Sequence, residues 1–170
     1  VWRGVECQYY EGGSFGPGNP NWWYSGYLIT KYMDEGIGVG GAGGTGGGRY
    51  VNWIFLRYAD ILLMYAEAQN RVGGPDSHAD EIDLTARDAL NLVRQRAGIT
   101  DLPTGMSPEE FEKRLRNERA VEFVMEDIRF FDLKRWETAE VISDDVHMVY
   151  ATKRTDGSFE YDFSRTTGPA

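Results

Sequence analysis

The sequence is poor in the residues that build metal centres and disulfides. It has one cysteine, Cys7, and two histidines, His78 and His147, in 170 residues. A lone thiol cannot close an intramolecular disulfide, and neither histidine stands in an HExxH pattern or beside a cysteine pair, so no metal site is expected. No run of about 20 apolar residues is present, which excludes a membrane-spanning helix. Positive charge is short as well: Lys and Arg number 18 against 27 Asp and Glu, a formal net charge of −9. With no basic stretch interleaved with aromatics, nucleic acid is excluded as a partner, and so is electrostatic docking on anionic lipid. There is no GxxxxGK[ST] phosphate loop and no GxSxG nucleophile elbow. The chain opens VWRGVECQYY, without an initiator methionine or a signal peptide, and reads as a fragment or a processed product.

What is there is a core-forming chain, 41% hydrophobic and 14% aromatic, long enough for one domain. Residues 1–48 are loop-rich. EGGSFGPGNPNWWYSG has no helical period, SGYLITKYMD is expected to hold a short strand, and GIGVGGAGGTGGG (36–48) has the composition of a mobile loop. Gly36, Gly38 and Gly41 match GxGxxG, but a dinucleotide fingerprint needs a strand before it and a helix opening on its last glycine. No cofactor is expected.

Residues 49–140 change character. VNWIFLRYADILLMYAEAQNRVGG carries Phe55, Ala59, Leu62, Leu63, Ala66 and Ala68 at helical spacings and ends on Gly73-Gly74-Pro75. A second helix is predicted over 83–97, with Ala86, Ala89, Leu90, Val93 and Ala97 on one stripe and Gly98 closing it. A third opens at Ser107-Pro108-Glu109-Glu110, a capping box with proline at the first helical position. It runs through Phe111, Leu115, Ala120 and Phe123 and bends near Asp127; a fourth, shorter helix holds IRFFDLKRWETAEVI. Helices of this length joined by short loops suggest antiparallel hairpins, as in bundles or tetratricopeptide-like stacks, although no 34-residue repeat is evident. Residues 141–170 are irregular, with a hairpin expected around Asp156-Gly157.

Two clusters of carboxylates invite chemistry. Asp76, Asp80 and Asp83 fail the calcium-loop spacing, since His78 and Glu81 stand where an Asp or Asn and the glycine belong. A solvated helix entrance fits better. Glu118 and Glu122, one helical turn apart, could meet the separation a glycosidase needs. Arg114, Arg116 and Arg119 lie close in sequence, however, and a paired arginine lowers a carboxyl pKa, which suits neither a general acid nor a buried base. The whole stretch ERAVEFVMEDIRFFDLKRW (118–136) reads as scaffold interior. Phe130, Phe131, Leu133 and Trp136 give its second half apolar residues all round, and charges embedded among them persist only when paired. Glu118, Glu122, Arg129, Asp132 and Arg135 are expected to form a polar clamp between helices. For ligand binding, the richest stretch is Trp22, Trp23 and Tyr24 with Tyr9 and Tyr10 upstream, because exposed aromatics stack on sugar rings. The competing role for these rings is to anchor the loop.

RYADILLMYAEAQNR (57–71), ALNLVRQRAGI (89–99) and ERAVEFVMEDIRFFDLKRW (118–136), in this order and spacing, closely resemble the C-terminal region of the SusD/RagB family. SGYLITKYMD (25–34) resembles the segment that precedes them. The resemblance implies a mainly α fold, an α/α superhelix of tetratricopeptide-like helical hairpins with a loop-rich N-terminal part and a short C-terminal hairpin. Residues 1–170 would then be the C-terminal part of a single such domain. It also implies a non-catalytic, surface-exposed outer-membrane lipoprotein of Bacteroidetes. Such a protein binds oligosaccharide, polysaccharide or another nutrient and acts as lid on a SusC-type TonB-dependent transporter. The matched motifs are structural and carry no ligand residues across. The alternative is a helical scaffold that contacts the transporter and has no glycan site of its own here.

Overall fold

Helix starts in this chain are written in short polar side chains. Ser107 Oγ accepts the Glu110 N–H at 3.2 Å while Glu110 Oε2 accepts the Ser107 N–H at 3.2 Å, so the expected capping box forms, with Pro108 at the first helical position. Thr85 Oγ1 likewise accepts the Asp88 N–H at 3.0 Å. The structure is a computed structural model and describes residues 6–19, 31–32, 52–143, 146–164 and 166–167. Among these lie four α-helices: α1 (Tyr58–Gly73), α2 (Ala86–Arg96), α3 (Pro108–Glu122) and α4 (Ile128–Arg135). A 3₁₀ turn (Ala139–Ser143) follows, then strands β1 (Val146–His147), β2 (Tyr150–Lys153), β3 (Phe159–Asp162) and β4 (Thr166–Thr167). The expectation of a mainly α fold with tetratricopeptide-like hairpins and a short C-terminal hairpin holds. The chain divides into two compact units, Asn52–Glu137 and Val1–Val51 with Thr138–Ala170.

In the first unit α1 packs against both α2 and α3. The contact is lined by Leu62, Leu63 and Ala66 of α1, Ala86, Ala89, Leu90 and Val93 of α2, and Phe111 and Leu115 of α3. Alanines at the α1–α2 contact let the two backbones approach, while Leu63, Leu90, Phe111 and Leu115 fill the middle and are fully buried. The loops are tied down by side chains. Asn91 accepts the Leu102 N–H at 2.8 Å, Asn70 Nδ2 donates to the Pro108 carbonyl at 3.0 Å, and the Tyr65 hydroxyl donates to the Leu84 carbonyl.

The structure differs from the sequence reading at four places along the helices. α1 starts at Tyr58, because Arg57 is extended (φ −142°) and Phe55, placed on the apolar stripe, lies outside the helix and is exposed. Ala97, placed on the α2 stripe, caps that helix and is exposed, and Gly98 turns the chain at φ +71°. The bend near Asp127 is a full break: Met125 (φ 64°) and Asp127 (φ 59°) are left-handed, a conformation uncommon outside glycine. α4 then stops at Arg135, where Glu137 (φ 55°) turns the chain.

In the second unit β2 and β3 pair antiparallel, with Ala151 opposite Tyr161 and Lys153 opposite Phe159. The expected turn at Asp156-Gly157 joins them. Gly157 sits at φ +85°, and Asp156 Oδ1 accepts both the N–H (2.9 Å) and the hydroxyl (2.6 Å) of Ser158. Those bonds hold the Asp156 carboxyl below its ordinary pKa. β1 pairs with β4. On the outer side of β2, Tyr10 bridges Ala151 in parallel, and the Glu11 N–H donates to the Ala151 carbonyl at 3.0 Å. Residues 11–19 then fold as consecutive turns. Gly16 is required there, since a Cβ would collide with the Tyr10 carbonyl.

Candidate functional site

Alternation along the β2–β3 hairpin sorts its residues onto two faces. Thr152, Glu160 and Asp162 share one. Ala151, Lys153, Phe159 and Tyr161 share the other, which Phe163 continues beyond the strand end. The rings form an unbroken row. Tyr10 and Phe159 have centroids 5.4 Å apart, Phe159 and Tyr161 stack at 6.3 Å with planes 27° apart, and Tyr161 and Phe163 lie 6.4 Å apart. Phe159 is 40% exposed, Tyr161 57% and Phe163 58%. Ala151, opposite Tyr161, keeps the surface low between them. Lys153 Nζ lies 5.2 Å from the Tyr10 ring centroid and 6.0 Å from that of Phe159. A face of this kind presents flat apolar surface with a cation on it, which is the chemistry that stacks on the C–H face of a sugar ring.

Of the ring residues singled out in the sequence, Tyr10 belongs to this row. Tyr9 points elsewhere and pairs with Phe15 at 5.6 Å, an anchor for its own loop. Burial pushes its phenol up to about 12, with the Cys7 thiol acting in the same direction. Trp22, Trp23 and Tyr24 lie outside the described residues, as does the glycine-rich stretch 36–48, and so does the expected strand in 25–34 apart from Lys31 and Tyr32. Phe159, Tyr161 and Phe163 were missed. Their signal is the strict aromatic–acidic alternation of FEYDF, which separates a ring face from a carboxylate face.

The charged stretch 118–136 is part of a dense ion-pair network inside the helical unit. Arg119, 4% exposed, grips Asp132 with two bonds of 2.7 and 3.0 Å and reaches Asp60 of α1 at 3.2 Å. Arg135 donates to Asp132 at 2.8 Å and to both carboxylate oxygens of Glu67, which also accepts the Trp136 indole N–H at 2.9 Å. Burial alone would raise the Glu67 pKa, but the Arg135 and Trp136 bonds and the charges of Arg135 and Arg71 outweigh it and hold the group below its ordinary value. Arg57 binds Glu126 through two bonds of 2.9 Å and also pairs with Glu122. Burial opposes the Arg57 charge, yet the two glutamates raise its pKa. Arg94 of α2 meets Glu118 at 2.7 Å. Two of these guanidinium groups, of Arg57 and Arg119, lie over the Phe123 ring at 4.7 and 5.1 Å.

Glu118, Glu122, Asp132 and Arg135 are thus all engaged with cations or carboxylates of other helices. Arg129 is not. Its side chain is exposed and enters none of these ion pairs, because the break at Met125 and Asp127 turns the start of α4 outward. The cations that meet Glu118 and Glu122 are Arg57, Arg94 and Arg96. Arg129 instead lines an open apolar groove of about 560 Å³ with Phe123, Val124, Met125, Phe130 and Phe131. Glu118 and Glu122 are both held in ion pairs with arginines from outside α3. Asp76 is similarly engaged: Arg87 (2.6 Å) and the Gly105 N–H (3.0 Å) lower its pKa. Among the described residues no helix is long and apolar enough to cross a membrane.

Comparison with known proteins gives a consistent set of relatives. SusD-like protein P38 of Formosa agariphila is 38% identical over 85 residues, 49% of this chain and 17% of the relative. SusD-like protein P2 of the same organism is 30% identical over 107 residues, 63% of this chain and 21% of the relative. The chain spans about a fifth of the length of the curated relatives it matches. Among solved structures, a SusD-like protein from Bacteroides fragilis is 34% identical with a TM-score of 0.48, covering 69% of this chain and 21% of that one. A SusD superfamily protein from Bacteroides vulgatus is 35% identical with a TM-score of 0.48, covering 55% and 18%. The sequence profile described as the SusD family matches residues 5–166, nearly the whole chain, and the protein belongs to that family.

Proposed function

We propose that the protein binds a glycan or another nutrient at the cell surface, without catalysis, and delivers it to a SusC-type TonB-dependent transporter. In this reading residues 1–170 are the C-terminal part of a single SusD/RagB-like domain, held on the outer membrane by a lipid anchor. Family membership supports the binding role. The single observation that supports a site in the described residues is the row of half-buried Tyr10 and exposed Phe159, Tyr161 and Phe163. Trp22, Trp23 and Tyr24 are proposed as ligand residues as well. The ion-paired state of Glu118 and Glu122 supports the absence of glycoside hydrolysis.

The test is native affinity electrophoresis of the full chain through gels containing a panel of polysaccharides, with the gels assayed for cleavage. Retardation on one polysaccharide without products is expected. Products would make the protein a hydrolase. A second reading, a helical scaffold that contacts the transporter and holds no glycan, is favoured by the groove at the α3–α4 break with exposed Phe130 and Phe131. Absence of retardation on every polysaccharide would select it.

A further inference from the structure

We propose that the glycan taken by the β2–β3 face carries carboxylates, and that Lys153 is the residue that recognises them; this rests on the glycan-binding reading above. The juxtaposition behind it is a lone ammonium on an aromatic row. Lys153 is exposed and, among the described residues, has no carboxylate partner, in a chain whose net charge is −9. The acids of its own hairpin are engaged elsewhere. Glu160 pairs with Arg154 at 3.2 Å on the opposite face. Asp156 and Asp162 accept hydrogen bonds from Ser158 and Ser164.

An uncompensated cation is a poor choice for a purely neutral ligand. It keeps its hydration and contributes only to the rim of the site. Against a sugar acid it contributes twice. The pyranose C–H face stacks on Phe159 or Tyr161, and the ring carboxylate reaches the ammonium at the end of the row. Ring-to-ring steps of 5.4–6.4 Å let consecutive sugars of an extended chain find consecutive rings. A uronate polymer repeats its charge along the chain, so one lysine can be met in any register. The chain's net charge of −9 disfavours anions in general, which makes Lys153 the discriminating contact rather than one of many.

The test compares binding of the full chain to polygalacturonate and alginate with binding to the same polymers after chemical reduction of their carboxyls to neutral sugars. Reduction is expected to weaken binding by about threefold to tenfold, the range of one exposed charge-assisted contact, and added salt should have a similar effect on the unreduced polymers alone. Lys153→Gln should lower the affinity for intact polymer to that for reduced polymer, Lys153→Arg should preserve the difference, and Tyr161→Ala should weaken both. Equal affinity for intact and reduced polymers, binding to neutral or sulfated polysaccharides only, or an unchanged preference in Lys153→Gln would overturn the inference while leaving glycan binding in place. Failure to bind any polysaccharide, charged or neutral, would overturn both.

Discussion

Rings and cations meet in both units, under opposite conditions of burial. In the helical unit Phe123 is 2% exposed and Trp136 is 8% exposed, and guanidinium groups over them belong to ion pairs that link α1, α3 and α4. On the hairpin the rings are 40–58% exposed and the cation beside them has no counter-ion among the described residues. Burial raises the cost of an unpaired charge, so every buried member of the first cluster is indispensable to the others. Exposure removes that cost, so the second cluster can be altered without loss of fold. The same residue types therefore make a scaffold in one place and a contact surface in the other.

The strongest way to break the comparison is to remove a buried cation. Arg119→Ala would leave Asp60 without the cation it meets and Asp132 with Arg135 alone. A loss of about 3–5 kcal/mol is expected in urea unfolding, the range for one half of a buried pair. A loss below about 1 kcal/mol would mean that the network is wet and behaves like surface charge.

Glu67→Gln is a milder cut with a pH signature. Glutamine still accepts the Trp136 N–H but gives up the paired bonds from Arg135, at about 1–2 kcal/mol. The Glu67 pKa is lowered in the folded state, through the bonds from Arg135 and Trp136 against an opposing burial effect. Its contribution is fully present above the unfolded value of about 4.3 and is lost as pH falls through the lower folded value. The variant should thus be less stable at neutral pH and should lose stability less steeply below about pH 4. Parallel acid limbs in wild type and variant would remove Glu67 from the account.

Ser107→Ala tests local rather than tertiary design in the same unit. The bond from the Glu110 N–H to the Ser107 hydroxyl is lost, while the backbone N–H of residue 107 still donates to Glu110, and the start of α3 is weakened by about 1 kcal/mol. A change near zero would show that packing of Phe111 and Leu115 alone fixes that end.

How much of this was legible in the sequence follows from how local each determinant is. The capping box at Ser107, the turn at Asp156-Gly157 and the stripe Ala86, Ala89, Leu90 and Val93 are set by neighbours within a few residues, and each is found where the pattern put it. The partners in the ion network are not local. Glu118 was surrounded in sequence by Arg114, Arg116 and Arg119, yet it meets Arg94 from another helix, and Glu67 and Arg135 are 68 residues apart. Only the packing of the four helices brings these together. Phe159, Tyr161 and Phe163 were written in plain alternation, but alternation alone does not say which face of a hairpin is covered.

The smallest expected effects are the sharpest test of the contrast. Tyr161→Ala removes a ring that is 57% exposed and whose ring contacts among the described residues are Phe159 and Phe163, so stability should change by no more than about 0.5 kcal/mol. Glycan retention in affinity gels should nonetheless fall. Arg129→Ala should leave both stability and retention unchanged, although the sequence pattern alone placed Arg129 in the clamp, because its exposed side chain enters none of the buried ion pairs. The two variants separate the alternatives cleanly. A melting temperature lowered by Tyr161→Ala would make the aromatic row a packing surface, and the exposed cation of Lys153 would then mark its rim. Destabilisation by Arg129→Ala would draw the α3–α4 break into the scaffold. If only retention changes, and only in Tyr161→Ala, the hairpin face acts as a surface for contact and Arg129 stands outside the ion-paired scaffold.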